Sequence, residues 1–261
     1  MTTPGGTLTI QPITHATLQI MQGNHVILVD PTVFASYDGP YPDGAAPPVN
    51  YDGLKPPTVI LVTDIHGDHL DPSAIATLKG PRTTVLVPAV PGWQWFEGAT
   101  PIANGQTRAI DGVSVLAVPM YNLQRGPSAG QLFHTKGRGN GYVIAIGGTR
   151  VYVAGDTECT PEMRALKNID VAFLPMNLPY TMTPAEAAAC AKAFTPRIVY
   201  PITIAVRTSA YLKQRFATAG STCVFVTGMS AHCPFVSARR PSPRDTIVPS
   251  TRAPRANRRS L

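Results

Sequence analysis

The sequence predicts an α+β fold in which β-sheets pack against each other and helices cover them. Eight short apolar runs, most of them rich in β-branched residues, are typical of buried strands. The 22 glycines and 27 prolines among 261 residues are typical of a chain with many turns. Strands dominate the first half, and strands and helices alternate in the second. This order favours a sheet-on-sheet core with outer helices.

The predicted strands are short, and most of them end at Gly, Pro or Asp. They cover residues 26–29, 58–62, 84–87, 113–118, 142–146, 151–154, 171–174 and 198–200. Gly147 and Gly148 separate two of these runs and predict a tight hairpin turn. Residues 36–57 form a long Gly/Pro-rich loop, which is either a functional lid or an idle insertion.

Helix signals are fewer but specific. Asp71 followed by proline predicts a capped helix through about residue 78. Thr183, Pro184 and Glu186 provide an N-cap, a first-turn proline and the glutamate of a capping box for a helix to about residue 194. The remaining candidates are a short helix at residues 161–166 and a longer one at residues 209–219.

The net charge of +7 raises the question of nucleic-acid binding, but its distribution argues against it. Residues 237–261 contain seven arginines and one aspartate, so this segment carries +6 and leaves only +1 for the rest of the chain. From residue 234 onward the sequence is rich in Pro, Ser, Thr and Arg, which predicts a disordered tail. We therefore expect one domain at residues 1–233 and a basic tail at 234–261. Nucleic-acid binding through the arginine-rich tail is a further alternative, but the tail lacks interleaved aromatic residues and most such tails are simply solvated, so a nucleic-acid partner is not the expected one.

The four cysteines predict reduced, unpaired thiols rather than a disulfide framework. Their spacings contain no CxxC pair, and they are sparse for a chain of this length. No apolar stretch approaches the length that spans a bilayer, and the first residues lack the features of a secretory signal. We expect a cytoplasmic protein that does not associate with membranes, of undetermined oligomeric state.

The segment of residues 63–69 predicts a metal site. It follows the predicted strand at 58–62 and contains four potential ligands within six positions: Asp64, His66, Asp68 and His69. Imidazole nitrogens and carboxylate oxygens together suit zinc, manganese or iron. The alternating positions 64, 66 and 68 would point to one side of an extended loop, with His69 turned to a neighbouring position. Since one ion does not easily bind all four, the cluster indicates two adjacent ions.

These residues resemble the HxHxDH signature of the metallo-β-lactamase superfamily, with Asp64 in the first position. His15 and Asp30 lie in segments that resemble the family's first hairpin, and Gly155-Asp156-Thr157 resembles its GD motif. The resemblance covers residues 7–225 and is strongest to a poorly characterised branch of Zn-dependent hydrolases. It implies a four-layer αββα sandwich with the site between the upper edges of the two sheets.

The resemblance also implies a ligand set. His66 would bind the first metal, with Asp64 in the place of a histidine. Asp68 and His69 would bind the second metal, and Asp156 would bridge the two. The implied cofactor is a divalent metal, one or two ions: zinc foremost, with manganese or iron as alternatives because Asp64 is a harder donor.

Two positions depart from the family pattern. The usual third histidine would fall near residues 118–122, where Tyr121 and Asn122 stand instead; His134 could substitute as a ligand, orient a substrate or merely lie in a loop. Thr203 occupies the place of the last ligand of the second metal. A neutral hydroxyl is a poor ligand for a divalent transition metal, so we expect a weakened second site.

The resulting functional prediction is a metal-dependent hydrolase. A metal-bound hydroxide would attack an ester, lactone, amide or phosphodiester, with Asp68 as the base. Tyr121, Asn122 or His134 would stabilise the oxyanion. The alternative is a catalytically impaired protein of the same fold with a binding or vestigial role.

For several residues around the predicted site, two roles are open. Arg125, Lys136 and Arg138 could bind an anionic small-molecule substrate or be ordinary solvated charges. His15, beside Asp30, could brace a ligand or be a histidine of the strand packing. The glycine-rich segment 137–141 lacks the features of a phosphate-binding loop and is interpreted as a turn.

Overall fold

Two seven-stranded sheets form the body of the protein. The computed structural model describes residues 1–34, 48–204 and 235–236. In the first sheet the strand order follows the chain: β1 (Thr2–Thr3), β2 (Gly6–Thr14), β3 (Thr17–Gln22), β4 (His25–Val29), β5 (Val59–Leu61), β6 (Thr84–Pro88) and β7 (Ala99–Ile102). Strands β1 to β4 pair antiparallel, and β4 to β7 pair parallel.

The second sheet contains the strands of the C-terminal half. These are β8 (Thr107–Ile110), β9 (Val113–Met120), β10 (Gly139–Ile146), β11 (Thr149–Val153), β12 (Val171–Met176), β13 (Ile198–Ile204) and β14 (Phe235–Val236). Its pairings are antiparallel except for β11–β12–β13, which run parallel. All eight predicted strands are present. Strands β1, β2, β3, β7, β8 and β14 were not among the predicted apolar runs, because they are very short or interrupted by polar residues, although the family resemblance implied a hairpin near His15.

Three apolar clusters define the layers. The largest lies between the sheets and contains buried side chains from both, such as Ile27, Leu61, Ile144 and Val153. A second cluster packs α2 (Pro161–Arg164) and α3 (Pro184–Phe194) on the outer face of the second sheet. A third packs Ile75 of α1 (Pro72–Leu78) on the first sheet. The predicted αββα sandwich is confirmed.

Local signals explain the boundaries of several elements. Asp71 caps α1, and its carboxylate accepts hydrogen bonds from the backbone N–H of Ser73 and Ala74. Thr183 and Glu186 form the predicted capping box of α3. Gly147 and Gly148 have φ of 49° and 76° and join β10 to β11 at the Ile146–Thr149 pair, as the predicted hairpin requires. The predicted helix at 209–219, most of the 36–57 loop and the tail other than Phe235 and Val236, which form β14, lie outside the described residues.

The prediction of unpaired thiols is wrong for two cysteines. Cys159, which lies between β11 and α2, forms a disulfide with Cys190 of α3. Spacing could not reveal this pair, because 31 residues separate the two cysteines and only the packing of α3 on the second sheet brings them together. The other two cysteines, at positions 223 and 233, lie outside the described residues.

We expect this disulfide to stabilise the domain. Replacing both Cys159 and Cys190 with Ala should lower the free energy of unfolding by about 2–4 kcal/mol, because the cross-link restricts the unfolded chain. Denaturant titration with and without a reductant measures the effect. The reductant should destabilise the wild type and leave the double variant unchanged; equal effects on both proteins would contradict the assignment.

Candidate metal centre

Two groups of ligand-type side chains lie at one edge of the sandwich. The first, here called the Asp64 cluster, consists of Asp64, His66 and His134. Asp64 Oδ2 lies 2.5 Å from His66 Nδ1 and 3.6 Å from His134 Nε2. His134 comes from the loop between β9 and β10, so the fold brings it to residues that lie some seventy positions earlier. Of the three roles considered for His134, this placement favours that of a ligand.

The second group, here called the Asp68 cluster, consists of His15, Asp68 and His69. Asp68 Oδ2 lies 3.2 Å from His15 Nε2 and 3.7 Å from His69 Nε2. The loop after β5 turns between these clusters, with the N–H of His69 and of Leu70 bonded to the carbonyl of His66. The expectation that positions 64, 66 and 68 share one side is therefore wrong, since the turn sends Asp68 away with His69.

Asp156 stands between the two clusters. Its Oδ2 lies 3.4 Å from His69 Nε2 and 3.7 Å from His134 Nε2, so one carboxylate faces a histidine of each cluster. Gly155 makes this placement feasible. Its φ is 67°, and a Cβ at this position would lie 2.6 Å from Met120 Sδ and 3.0 Å from Thr63 Cβ. The chain can therefore leave β11 and direct Asp156 into the centre only with glycine here.

The arrangement fits divalent metal ions better than a hydrogen-bonded cluster. Two ligands bound about 2.0–2.1 Å from a tetrahedral ion lie about 3.3 Å from each other. The contacts of His69 and His134 with the aspartates, at 3.4–3.7 Å, lie near this value and beyond ordinary hydrogen bonds. His69 Nε2 and Asp156 Oδ1 are also buried without a hydrogen-bond partner among the described residues. Buried polar atoms normally have partners, and a shared cation satisfies both.

Asp30 orients His69 from behind. It follows β4, and its carboxylate accepts hydrogen bonds from the backbone N–H of Thr63 at 2.7 Å and from the Thr63 hydroxyl at 2.6 Å. His69 Nδ1 lies 2.8 Å from the same carboxylate. A proton on Nδ1 directs the Nε2 lone pair towards Asp68 and Asp156, which is the usual arrangement behind a metal-binding histidine. Asp30 thus braces a ligand-type histidine directly, whereas His15 contacts Asp68 rather than Asp30.

The electrostatics distinguish the histidines. Burial would lower the pKa of His69, but the carboxylates of Asp156 and Asp30 raise it well above the ordinary value. Burial lowers the pKa of His134 and outweighs the opposite effect of Asp156 and Asp64. For Asp64, burial alone would raise the pKa, yet the contact with His66 and the charges of His69 and His134 hold it well below the ordinary value. These shifts favour anionic carboxylate oxygens and a neutral His134, and they strengthen the binding of a proton at His69.

Asn122 positions His134. Its Oδ1 lies 2.8 Å from His134 Nδ1 and accepts a second hydrogen bond from the His134 backbone N–H, also at 2.8 Å. Its Nδ2 donates to the carbonyl of Tyr180. The Tyr121 hydroxyl donates to Glu162. The Tyr121 hydroxyl proton and one N–H of the Asn122 amide are engaged in these contacts, and an oxyanion role for either residue stays a prediction.

The three basic residues near the predicted site separate into two kinds. Arg125 pairs with Glu158 and Glu186, and Lys136 pairs with Glu162 at 2.5 Å. Arg138 Nε instead lies 3.3 Å from Asp64 Oδ1, directly at the Asp64 cluster. Arg138 is thus the cation in contact with the centre, whereas Arg125 and Lys136 stabilise the surrounding loops. The glycine-rich segment 137–141, which was predicted to be a turn, is a turn only in part, because β10 begins at Gly139.

Glu158 is a structural residue that the sequence did not reveal. Its carboxylate accepts hydrogen bonds from the backbone N–H of Leu123, Gln124 and Arg125, and it pairs with the Arg125 guanidinium. It therefore ties the loop that carries Asp156 to the loop that carries Asn122. An acidic residue after a GD motif gives no signal of this role, because the contacts join segments more than thirty residues apart.

The Glu158 contacts predict a pH-dependent contribution to stability. Burial would raise the pKa of Glu158, but the three backbone N–H groups and Arg125 hold it below its ordinary value of 4.5. A depressed pKa means that the carboxylate stabilises the fold above that value and that this stability is lost as the pH falls below it. Glu158→Gln should lower the free energy of unfolding by about 1–3 kcal/mol at pH 7.

Denaturant titrations of wild type and variant at pH 7 and at successively lower pH measure this difference. The difference should shrink below pH 4.5, and the exposed Glu97→Gln should show almost no effect at any pH. A Glu158→Gln effect that stays constant across this range would contradict the assigned role of the charge.

The fold and the two ligand clusters define a protein of the metallo-β-lactamase class. Residues 9–203 match the family model described as "Beta-lactamase superfamily domain". A UPF0173 metal-dependent hydrolase of Symbiobacterium thermophilum is 33% identical over 210 residues, which cover 74% of this chain and 82% of the relative. Another, from Thermococcus onnurineus, is 32% identical over 195 residues, covering 72% and 80%.

A solved structure gives the same result. A protein of Parabacteroides distasonis, described as a metal-dependent hydrolase, superimposes with a TM-score of 0.69 and 35% sequence identity, covering 86% of this chain and 96% of that protein. The chain therefore belongs to the UPF0173 family of metal-dependent hydrolases within the beta-lactamase superfamily.

Among the described residues, no helix has both the length and the apolar character needed to cross a membrane.

Proposed function

We propose that this protein hydrolyses an ester, lactone or phosphodiester at a two-metal centre. The observation that supports the proposal most directly is that Asp156 faces a histidine of each ligand cluster. Family membership supports metal-dependent hydrolysis in general. Asp64, His66 and His134 would hold one ion, Asp68 and His69 the other, and Asp156 both. Zinc is the first candidate, with manganese or iron as alternatives because of the oxygen donors.

A divalent cation held by these residues would supply an acidified water near neutral pH as the nucleophile. The side chains of Asp68 and His66 are 30% and 44% exposed, whereas that of Asp64 is fully buried. Water and substrate therefore reach the centre from the side of Asp68 and His66.

Asp68 is better suited to orient the attacking water than to store its proton. Burial would raise its pKa, but His15 and His69 hold it well below the ordinary value. Because a general base works best with a pKa near the working pH, so stable an anion accepts a proton poorly. It remains a strong hydrogen-bond acceptor, and we propose that it directs the water towards the substrate.

Arg138 is our candidate for stabilising negative charge on the substrate. It contacts Asp64 through Nε, and the interaction leaves guanidinium donors beside the centre. A guanidinium suits both a phosphodiester and the oxyanion that forms at an ester carbonyl.

Metal dependence provides the test of the proposed function. The protein is stripped with a chelator, reloaded separately with Zn²⁺, Mn²⁺ or Fe²⁺, and assayed with nitrophenyl esters, a lactone and bis(p-nitrophenyl) phosphate. We expect turnover with at least one ion, and loss of turnover and bound metal in Asp156→Asn. The exposed Asp111→Asn is a matched control that should keep both. Metal binding without turnover of any substrate would refute the activity.

That outcome would favour the alternative, a catalytically impaired protein with a binding or vestigial role. Thr203 supports this alternative, because its buried hydroxyl lies where the resemblance implies a histidine. The metal content of protein purified without added metal also tests the ion's identity. Stoichiometric zinc alone would contradict a preference for manganese or iron.

Substitution of Arg138 tests its proposed role. Arg138→Met should reduce kcat/KM for bis(p-nitrophenyl) phosphate by about 100- to 1000-fold, the range seen when a charge-stabilising donor is lost. Metal content should stay unchanged, and Arg108→Met, on the exposed surface of β8, should have wild-type kinetics. A wild-type kcat/KM in Arg138→Met would exclude the role.

The predicted cytoplasmic location stays a proposal. The Cys159–Cys190 disulfide counts against it, because disulfides are more usual in oxidising compartments. We also propose a small-molecule substrate rather than a nucleic acid. The support is that residues 237–261 carry most of the positive charge, so the domain that holds the centre is nearly neutral.

A further inference from the structure

His15 is a ligand-type residue of the Asp68 cluster that the family resemblance does not use as a ligand. It lies in the turn between β2 and β3, far along the chain from the loop after β5, and its side chain is only 4% exposed. Its φ of 37° is unusual for a residue other than glycine. The fold thus holds this imidazole against Asp68 in a conformation that the chain seldom adopts.

The distances around His15 match those between ligands of one ion. His15 Nε2 lies 3.2 Å from Asp68 Oδ2, close to the value of about 3.3 Å expected for neighbouring ligands on a tetrahedral metal. The donor atoms of His15, Asp68 and His69 all lie within 4.8 Å of one another. His15 Nδ1 is buried and has no hydrogen-bond partner in the described part of the chain. The imidazole of His15 therefore makes its polar contact through Nε2, which faces Asp68 at the candidate metal centre.

Thr203 lies next to His15. Its backbone N–H is directed at the His15 carbonyl at 3.4 Å, and its own φ is 49°. The pairing of β12 with β13 shifts its register at this point, so Thr203 falls in a bulge. Its hydroxyl is buried and has no hydrogen-bond partner among the described residues. The position implied for the last ligand of the second metal therefore holds a weak donor, with an imidazole beside it.

We propose that His15 is a ligand of the second metal ion, bound through Nε2, and that it substitutes for the histidine absent at Thr203. The inference rests on the proposed two-metal centre. With His15 as a ligand, both ions would have the same set of donors. Each would have two imidazoles, one aspartate of its own, and the shared Asp156. The weakened second site expected from Thr203 is thereby restored from the opposite end of the chain.

A hydrogen bond from His15 to Asp68 is the competing explanation. In that case His15 only positions Asp68, and a glutamine at this place can still donate a hydrogen bond to the carboxylate. A glutamine amide binds transition metals far more weakly than an imidazole does. His15→Gln therefore separates the two roles.

The experiment measures bound Co²⁺ by equilibrium dialysis, elemental analysis and the visible absorption of the ion. Wild type and His25→Gln should bind two equivalents; His25, half-buried on β4, is the matched control. His15→Gln should bind one equivalent tightly, with the affinity for the second reduced more than about 100-fold, beyond the 10- to 100-fold loss typical of a residue that only positions a ligand.

Two equivalents in His15→Gln with a smaller loss of affinity would overturn the proposal, and so would a single equivalent in the wild type. No bound metal in the wild type would overturn the proposed function as well, so the two failures are distinguishable. If His15→Gln does not fold, a crystal structure of the Co²⁺-loaded wild type decides. His15 Nε2 within about 2.3 Å of an ion supports the proposal, and a separation above about 3 Å refutes it.

Discussion

The hydrogen bonds of Asp30 are the interaction on which the metal centre depends. This one carboxylate joins the end of β4 to the start of the loop after β5 and to His69. The loop holds four ligand-type side chains, and a displacement of Thr63 would move all of them. An aspartate buried this completely is costly unless its oxygens are well satisfied. Its three donors meet that requirement and simultaneously direct His69 Nε2 into the centre.

The second sheet contributes in a complementary way. The loop between β9 and β10 supplies His134, the loop after β11 supplies Asp156, and Glu158 ties these loops together through three backbone N–H groups. Arg125 and α3 extend this network through Glu186, and the disulfide holds Cys159 against the same helix. Ligands from two sheets can therefore form one centre, because each ligand loop is fixed by a buried polar contact.

Much of the fold was predictable because apolar strands and helix caps are local signals. The capped helices and the glycine hairpin follow from neighbouring residues alone. The ligand-rich loop was recognisable for the same reason. The positions of His134 and His15 were not, since each reaches its cluster through contacts distant in sequence. The Cys159–Cys190 pair, the bonds of Glu158 and the engagement of Arg125 likewise depend on packing between elements.

The burial of carboxylates at this centre sets its charge balance. Asp30, Asp64, Asp68 and Asp156 bring four formal negative charges into a small volume, and two divalent cations would neutralise them. A centre with a single ion would keep two uncompensated negative charges, offset in part by Arg138 and by protons on the histidines. The number of bound metal ions would then change the electrostatic field that acts on an approaching molecule. A half-loaded centre would be more negative than a fully loaded one and would attract anions less, so occupancy of the second ion would influence which molecules enter.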